Sequence, residues 1–317
     1  MELIRGLRNL PRFPCGCVAT IGNFDGVHLG HQAVLGQLAE KAQELGLPAV
    51  VITFEPYPQE FFARGATPPR LTRFREKIQA LRRYSVDRVL CLRFDRALAS
   101  TPAEDFIRRI LIEGLGVRYL VVGDDFRFGY RRQGDFAMLK AAGAQQGFQV
   151  ANQHTFSIDG ARVSSTRIRE ALARGDLRGA EKLLGRPYRM CGRVACGDQR
   201  GRMLGFPTAN IYLHRKASPV QGVFAVEVFG LDANPLPGVA NVGTRPTVDG
   251  TRALLEVHLF DFGQDIYGRY VQVDFLHKLR DEQRFASLDE LKAQIAVDGQ
   301  QARDFFSDLN KCRSGQT

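Results

Sequence analysis

Two histidines three residues apart lie in a glycine-rich stretch near the start of the chain, Gly22-Asn23-Phe24-Asp25-Gly26-Val27-His28-Leu29-Gly30-His31. A glycine turn that opens a helix presents free backbone N–H groups and the positive end of the helix dipole, which suits a phosphate. At that spacing His28 and His31 share one face of the first helical turns. Two donors beside a phosphate nest can hold a triphosphate and stabilise charge developing on a leaving pyrophosphate. The plainer alternative is an ordinary strand-to-helix turn with surface or capping histidines. A histidine pair alone can also bind metal, but nothing here completes a ligand set, and Gly22, Asp25 and Gly26 together with both histidines favour nucleotide binding.

Further clusters carry chemistry of the same kind. Ser164-Ser165-Thr166-Arg167-Ile168-Arg169 gathers hydroxyls and two arginines at a helix start, where they bind phosphate oxygens. In isolation it is equally a serine cap with solvated arginines. Gly197-Asp198-Gln199-Arg200-Gly201-Arg202 is a glycine-rich basic loop of the sort that wraps phosphates. In Gly205-Phe206-Pro207-Thr208-Ala209-Asn210, a Thr hydroxyl and an Asn carbonyl stand two apart. Both are hard oxygen ligands, suited to Mg²⁺ shared with nucleotide phosphates, and either alone is equally a locally bonded turn residue. Glu256 is one acid in the apolar run Leu254–Phe260. It can accept a hydroxyl proton, or face solvent from a half-buried strand.

The patterning that must position these residues changes along the chain. β-branched or apolar runs at Val18–Ile21, Ala49–Phe54, Val86–Leu92, Tyr119–Val122 and Phe148–Ala151 predict strands. Helical spacing separates them: from about Val27 to Leu45, Arg73–Tyr84, Thr101 to about Gly114, and Asp135–Gln146. The third of these starts with Thr101 at the N-cap, Pro102 at the first position and Glu104 after it. Alternating strands and helices predict a parallel sheet covered on both faces, with ligands beyond the carboxyl ends of its strands. A short helix over Asp176–Leu184 precedes Gly185-Arg186-Pro187, where the pattern breaks. The expected domains are therefore 1–185 and 186–317. Beyond the break, Arg189–Cys196, Gly222–Phe229, Gly238–Val242, Leu254–Phe260 and Tyr270–Leu279 are short β-like runs spaced as in an antiparallel barrel. Ser287-Leu288-Asp289-Glu290 is a capping box that opens a last helix reaching about Phe306.

Composition bounds the function classes. At 317 residues the chain can build two domains with real cores, and 44% apolar residues is ordinary for a globular protein. No apolar run is long enough to span a membrane and the N-terminus lacks a signal-peptide core, so a cytoplasmic, membrane-free protein is expected. The six cysteines, among them Cys15 and Cys17, have no zinc spacing and read as reduced thiols. A net charge of +10 attracts anions of any kind, but no basic strip interleaved with aromatics offers bases a stacking surface. Small anionic substrates account for it without nucleic acid.

The stretch Gly22–His31 resembles the signature of nucleotidylyltransferases with a histidine–x–glycine–histidine motif, and more narrowly that of bacterial bifunctional riboflavin kinase/FAD synthetases. Ser165, Thr166 and Arg169 resemble that family's Ser-Thr-x-x-Arg motif, which lies across the ATP site from the histidines. Phe54-Glu55-Pro56-Tyr57-Pro58 resembles its flavin-side loop, with tyrosine where histidine is more usual, and Gly123–Gly129 its second substrate-facing loop. Gly205–Asn210 matches the riboflavin kinase Pro-Thr-Ala-Asn signature without departure. Asn241–Thr247 and Glu256–Phe262 resemble that kinase's flavin-side segments, and Leu279-Arg280-Asp281-Glu282-Gln283-Arg284-Phe285 resembles its late Leu-Arg-x-Glu-x-x-Phe motif.

The resemblance covers nearly the whole chain in the family's domain order. It implies a doubly wound parallel α/β nucleotidylyltransferase domain, then a six-stranded antiparallel β-barrel with a C-terminal helix. It implies phosphorylation of riboflavin to FMN, adenylylation of FMN to FAD with a second ATP, and Mg²⁺. ATP for adenylyl transfer would meet Gly22, Phe24, Asp25, Gly26, His28, Gly30, His31, Ser165, Thr166 and Arg169. Flavin would meet Phe54, Pro56, Pro58, Asp125 and Phe128 in the first half and Arg280, Glu282 and Phe285 in the second. Phe54 and Phe128 are suited to a flat isoalloxazine ring, or are core phenylalanines, and either Asp124 or Asp125 can orient a substrate or a magnesium water shell. The kinase ATP would meet Gly197, Gly201, Arg202, Gly205, Pro207, Thr208 and Asn210, with Mg²⁺ at Thr208 and Asn210 and Glu256 as base. A monomer or weak homo-oligomer is expected. Two other classes stand beside this reading: a related transferase with another acceptor, against which the barrel half argues, and a non-enzymatic basic protein that binds RNA or flavin.

Overall fold

The computed structural model describes residues 1–11, 13–123, 125–153, 155–196, 205–215, 217–247 and 250–313. They form two compact units, one of residues 1–68 and 74–164, the other of residues 69–73 and 165–317.

The first unit is built on six strands: β1 (Glu2–Arg5), β2 (Cys17–Ile21), β3 (Ala49–Glu55), β4 (Arg88–Arg93), β5 (Val117–Gly123) and β6 (Gln149–Gln153). All pair in parallel, in the order β1-β4-β3-β2-β5-β6. Strand alternation divides their side chains between two cores. Val18, Val51 and Val89 face one side, with Leu35 and Leu38 of α1 (Leu29–Leu45) and, beyond the short α2 (Pro58–Phe62), Ile78 and Leu81 of α3 (Phe74–Leu81). Ala19, Ile52 and Leu90 face the other, with Phe106, Ile110 and Leu139. The sheet is thus doubly wound, as expected. β3 and β5 flank β2 on opposite sides, so the chain reverses direction across the sheet there, and the loop after β2 opens at the switch point.

Two local expectations are corrected. The segment after α4 (Arg96–Ala99) is capped by Pro102, not Thr101, because the Thr101 hydroxyl donates back to the Ala97 carbonyl at 2.9 Å. α5 (Ala103–Phe106) then continues as a π-helical stretch, Ile107–Ile112. Strand β1 is an addition to the sequence reading. After α6 (Phe136–Gln146) a two-stranded hairpin, β7 (Ser157–Ile158) with β8 (Ala161–Arg162), ends the unit.

The second unit begins with α7 (Ser165–Ala173) and α8 (Leu177–Leu184), followed by β9 (Tyr188–Ala195), β10 (Ala209–Tyr212), β11 (Gly222–Phe229), β12 (Leu236–Thr247), β13 (Gly250–Leu259) and β14 (Tyr270–Arg280). These six strands close an antiparallel barrel in the order β10-β13-β12-β11-β14-β9. The last helix, α9 (Leu288–Arg313), runs one to two turns past the expected Phe306. It packs Ala302 and Phe306 on Ala225 and Phe260 of the barrel. Its start is capped by Ser287 Oγ, which accepts from Glu290 N–H at 3.2 Å, while the Glu290 carboxylate accepts from the Ala286 N–H at 3.0 Å, one residue before the cap N–H that a capping box uses. Residues 69–73 are held to this unit by side chains of its own. Buried Arg215 donates to the Arg70 carbonyl at 2.6 Å, Tyr188 Oη donates to the Leu71 carbonyl at 3.1 Å, and Arg73 donates to the Leu213 carbonyl at 2.8 Å.

Candidate functional sites

In the first unit the glycine turn is shaped by backbone strain and burial. Gly26 has φ +85°, which favours glycine, while Phe24 and Val27 take φ +50° and +43° with their side chains buried. His28 is the N-cap of α1, and its Nδ1 accepts from the His31 N–H at 3.3 Å. In the neutral ring Nε2 therefore carries the proton. The two imidazoles stack with centroids 3.6 Å apart, and Phe24 packs on His31 at 5.1 Å. A Cβ on Gly30 would lie 3.3 Å from the His28 ring, so the missing side chain lets the imidazole lie against the helix start. Burial first, then the electrostatic influence of His28, Lys77 and Arg162, holds the His31 pKa well below its ordinary value.

Beneath this turn is a residue that sequence reading missed. Lys77 on α3 is fully buried, and its ammonium donates to the Asn23 carbonyl at 3.0 Å and to Thr53 Oγ1 at 2.9 Å. It also lies 4.6 Å from the Tyr57 ring centre. Nothing in a lysine on an amphipathic helix signals this. Tyr57 Oη lies 3.4 Å from Asp25 Oδ1, tying the proline loop to the glycine turn. Pro58 opens α2, and the Glu55–Pro56 bond is cis. Phe54 and Phe128 are both in the core, Phe54 edge-on to Phe94 and Phe128 between Phe106 and Phe126. Asp125 pairs with Arg162 at 2.9 Å, which holds its carboxyl below the usual range.

Ser165, Thr166 and Arg169 stand on α7, which is counted with the second unit; Arg169 Nε donates to the Pro69 carbonyl at 2.7 Å. Asp124, Gly197, Gly201 and Arg202 lie outside the described residues.

The second unit brings six of its predicted residues together around a cavity of about 670 Å³ between the barrel wall and α9, while the predicted Gly205 and Pro207 are not in its lining. Thr208, Asn210, Glu256, Arg280, Glu282 and Phe285 all line it. Glu256 faces Asn210 on one neighbouring strand and Asn241 on the other. Thr208 and Asn210 also line a second cavity of about 360 Å³, together with Pro207, so they stand on the wall shared by the two. Burial raises the Glu282 carboxyl above its ordinary pKa, opposed by Arg280. Arg280 is engaged by α9: Nε and a terminal nitrogen donate to the two Asp298 oxygens at 2.8 and 2.7 Å, and the guanidinium lies 5.7 Å over Phe285. Asp298 and His258 also line the cavity; Asp298 lies outside every motif of the sequence analysis, and His258 stands inside the Glu256–Phe262 segment without having been given a role of its own.

Two family models match the chain in succession. The FAD synthetase family model matches residues 10–167, and the riboflavin kinase family model matches residues 184–306. The chain is 56% identical to the bifunctional riboflavin kinase/FMN adenylyltransferase of Escherichia coli (strain K12), over 96% of this chain and 98% of that protein. It is 53% identical to the protein of that name from Haemophilus influenzae, over 97% of this chain and 100% of the other. A crystal structure from Streptococcus pneumoniae, titled a macrolide-efflux protein, superposes with a TM-score of 0.80 at 32% identity, over 94% of this chain and 97% of that one. Among the described residues of the present chain, no helix is long and apolar enough to cross a membrane. With both domain models in order and such identity over nearly its whole length, the chain belongs to the bifunctional riboflavin kinase/FMN adenylyltransferase family.

Proposed function

We propose that the chain's two reactions run on separate sets of side chains, FMN synthesis in residues 186–317 and FAD synthesis in residues 1–185. As a member of its family the chain is a riboflavin kinase and an FMN adenylyltransferase, using ATP in both steps.

The observation that carries the kinase assignment is the shared wall: Thr208 and Asn210 border both cavities, and Glu256 lies opposite Asn210. Riboflavin occupies the larger cavity and the ATP phosphates enter from the smaller. Glu256 takes the proton of the terminal ribityl hydroxyl as its oxygen bonds to the γ-phosphorus, and the bond to the β-phosphate oxygen breaks to release ADP. Such transfers depend on positioning and charge neutralisation more than on covalent help. The Thr208 hydroxyl and the Asn210 carbonyl fit magnesium, a hard cation that takes few protein oxygens when it shares nucleotide phosphates. When bound there, Mg²⁺ neutralises phosphate charge. Arg280, Glu282 and Phe285 form the flavin end.

In FAD synthesis an FMN phosphate oxygen attacks the α-phosphorus of ATP and pyrophosphate leaves. His28 donates through Nε2–H to the phosphates, His31 supports it by stacking, and the α1 N-terminus offers its free N–H groups to the same phosphates. No nucleophilic side chain is needed, because the FMN phosphate is itself an anion.

The test is to incubate pure protein with riboflavin and Mg·ATP and separate the flavins by chromatography. FMN first and FAD later is the expected order. His28→Ala should stop the second step alone and Asn210→Ala the first alone. Equal loss of both activities in each folded variant would overturn the two-site assignment.

A further inference from the structure

His258 stands two residues beyond Glu256 on β13, so both side chains share one face of the strand, and both line the larger cavity. Its Nδ1 lies 2.9 Å from the Pro207 carbonyl oxygen, 51 residues away in sequence. A carbonyl only accepts, so Nδ1 carries the ring proton and donates it. The imidazole is set between two aromatic edges, Phe206 at 5.6 Å and 84°, and Phe260 at 6.0 Å and 75°. The ring is therefore fixed in both plane and tautomer.

The acceptor is the informative partner. The ladder that joins β10 to β13 begins at Ala209, paired with Val257, so the Pro207–Thr208 peptide precedes it. Proline fixes its own φ but leaves its carbonyl free to turn. A bond to that oxygen settles the peptide plane, and with it the direction in which Thr208 leaves. Thr208 is where both cavities meet.

We infer that His258 is a positioning residue for phosphoryl transfer: its Nδ1–H bond to the Pro207 carbonyl sets the peptide that presents Thr208, and next to it Asn210, to the nucleotide phosphates opposite Glu256. The inference rests on the reading of Thr208 and Asn210 as the residues that hold the kinase nucleotide. A misplaced peptide moves the γ-phosphorus relative to the ribityl hydroxyl, and in-line transfer is sensitive to displacements of about 1 Å. The loss therefore falls on kcat of FMN formation more than on the KM for riboflavin.

Side-chain geometry supplies the test. The Nδ2 amide of asparagine can stand where Nδ1–H stands, whereas the glutamine amide reaches to the Nε2 position and phenylalanine donates nothing. Rates of FMN formation from riboflavin and Mg·ATP are measured for His258→Asn, His258→Gln and His258→Phe. FAD formation from supplied FMN, on the same preparations, reports the first unit, and the urea unfolding midpoint reports the fold. The expected result is a fall in kcat of about tenfold or more for Phe and Gln, with Asn within about threefold of the parent and FAD formation unchanged. Wild-type kcat in Phe and Gln, or an Asn variant as slow as both, would overturn the inference. Asn210→Ala is run alongside. If it leaves FMN formation intact, the underlying reading of the kinase site fails; if it abolishes FMN formation while His258→Phe behaves as the parent, only the role of His258 fails.

Discussion

Asn210 and Glu256 stand directly opposite each other on antiparallel strands β10 and β13. Directly opposed side chains in such a pair have Cβ atoms about 5 Å apart. The acid proposed as base and the amide proposed to hold magnesium are therefore juxtaposed by strand register, though 46 positions separate them in sequence. A one-residue slip would turn one of them to the opposite face.

From this pairing, Glu256→Gln should lower FMN formation by about 100-fold or more, the usual worth of a general base. FAD formation from supplied FMN should stay at the parent rate. Both are read by flavin chromatography after single additions of riboflavin or FMN. An unchanged FMN rate would remove Glu256 from the role of base.

His28→Ala should give the opposite pattern, with FAD formation down about 100-fold and FMN formation intact, since one charge-stabilising donor is commonly worth that much. His28→Asn should keep the helix cap, because asparagine caps as well as histidine or better, but lose the Nε2 donor. Equal losses in the two variants would place the effect on the donor; recovery in Asn would place it on the cap.

The depressed pKa of His31 makes a stability prediction. The folded ring stays neutral well below 6.5, its ordinary value, whereas the unfolded ring takes up a proton there. Below 6.5 the unfolded chain binds more protons, so stability contributed by this site falls as pH falls, by at most about 1.4 kcal/mol per unit. Urea unfolding between pH 5.5 and 7.5 should show that slope in the parent and a shallower one in His31→Gln. Identical slopes would assign the acid sensitivity to other groups.

Arg280 and Asp298 latch α9 to the barrel beside the larger cavity, with Gln294 also donating to Asp298 at 2.9 Å. Asp298→Ala should cost about 3 kcal/mol, because it strands a largely buried cation. Arg280→Met combined with Asp298→Leu should recover much of that loss in the urea midpoint. Riboflavin binding, followed by its fluorescence, should weaken in Asp298→Ala, since α9 forms one wall of the cavity.

Much of the fold is legible in the sequence. Parallel strands buried on both faces read as apolar runs, and Val50, Val51 and Ile52 illustrate it, each fully buried and pointing to alternate cores. The short strands β1 and β10 were not legible. β10 holds four residues and carries Asn210 and Tyr212 among two apolar ones, so its pairing with β13 and β9 decides its state more than its composition does. Thr101 looked like a cap, and lost that role to a local bond with Ala97 that sequence spacing does not rank.

The sequence by itself determined the chemistry of the groups: which loops carry glycine, hydroxyl, imidazole and carboxylate, and in what order. Local pattern suffices there, because a turn, a cap or an alternating strand is set by neighbours along the chain. Only the tertiary structure decided which of those groups meet. It set Glu256 against Asn210, placed Thr208 on the wall of two cavities, committed Arg280 to Asp298, and buried Lys77 beneath the histidine turn. Those relations depend on barrel closure, strand register and the burial of charge, which are non-local and leave no periodic trace in the chain.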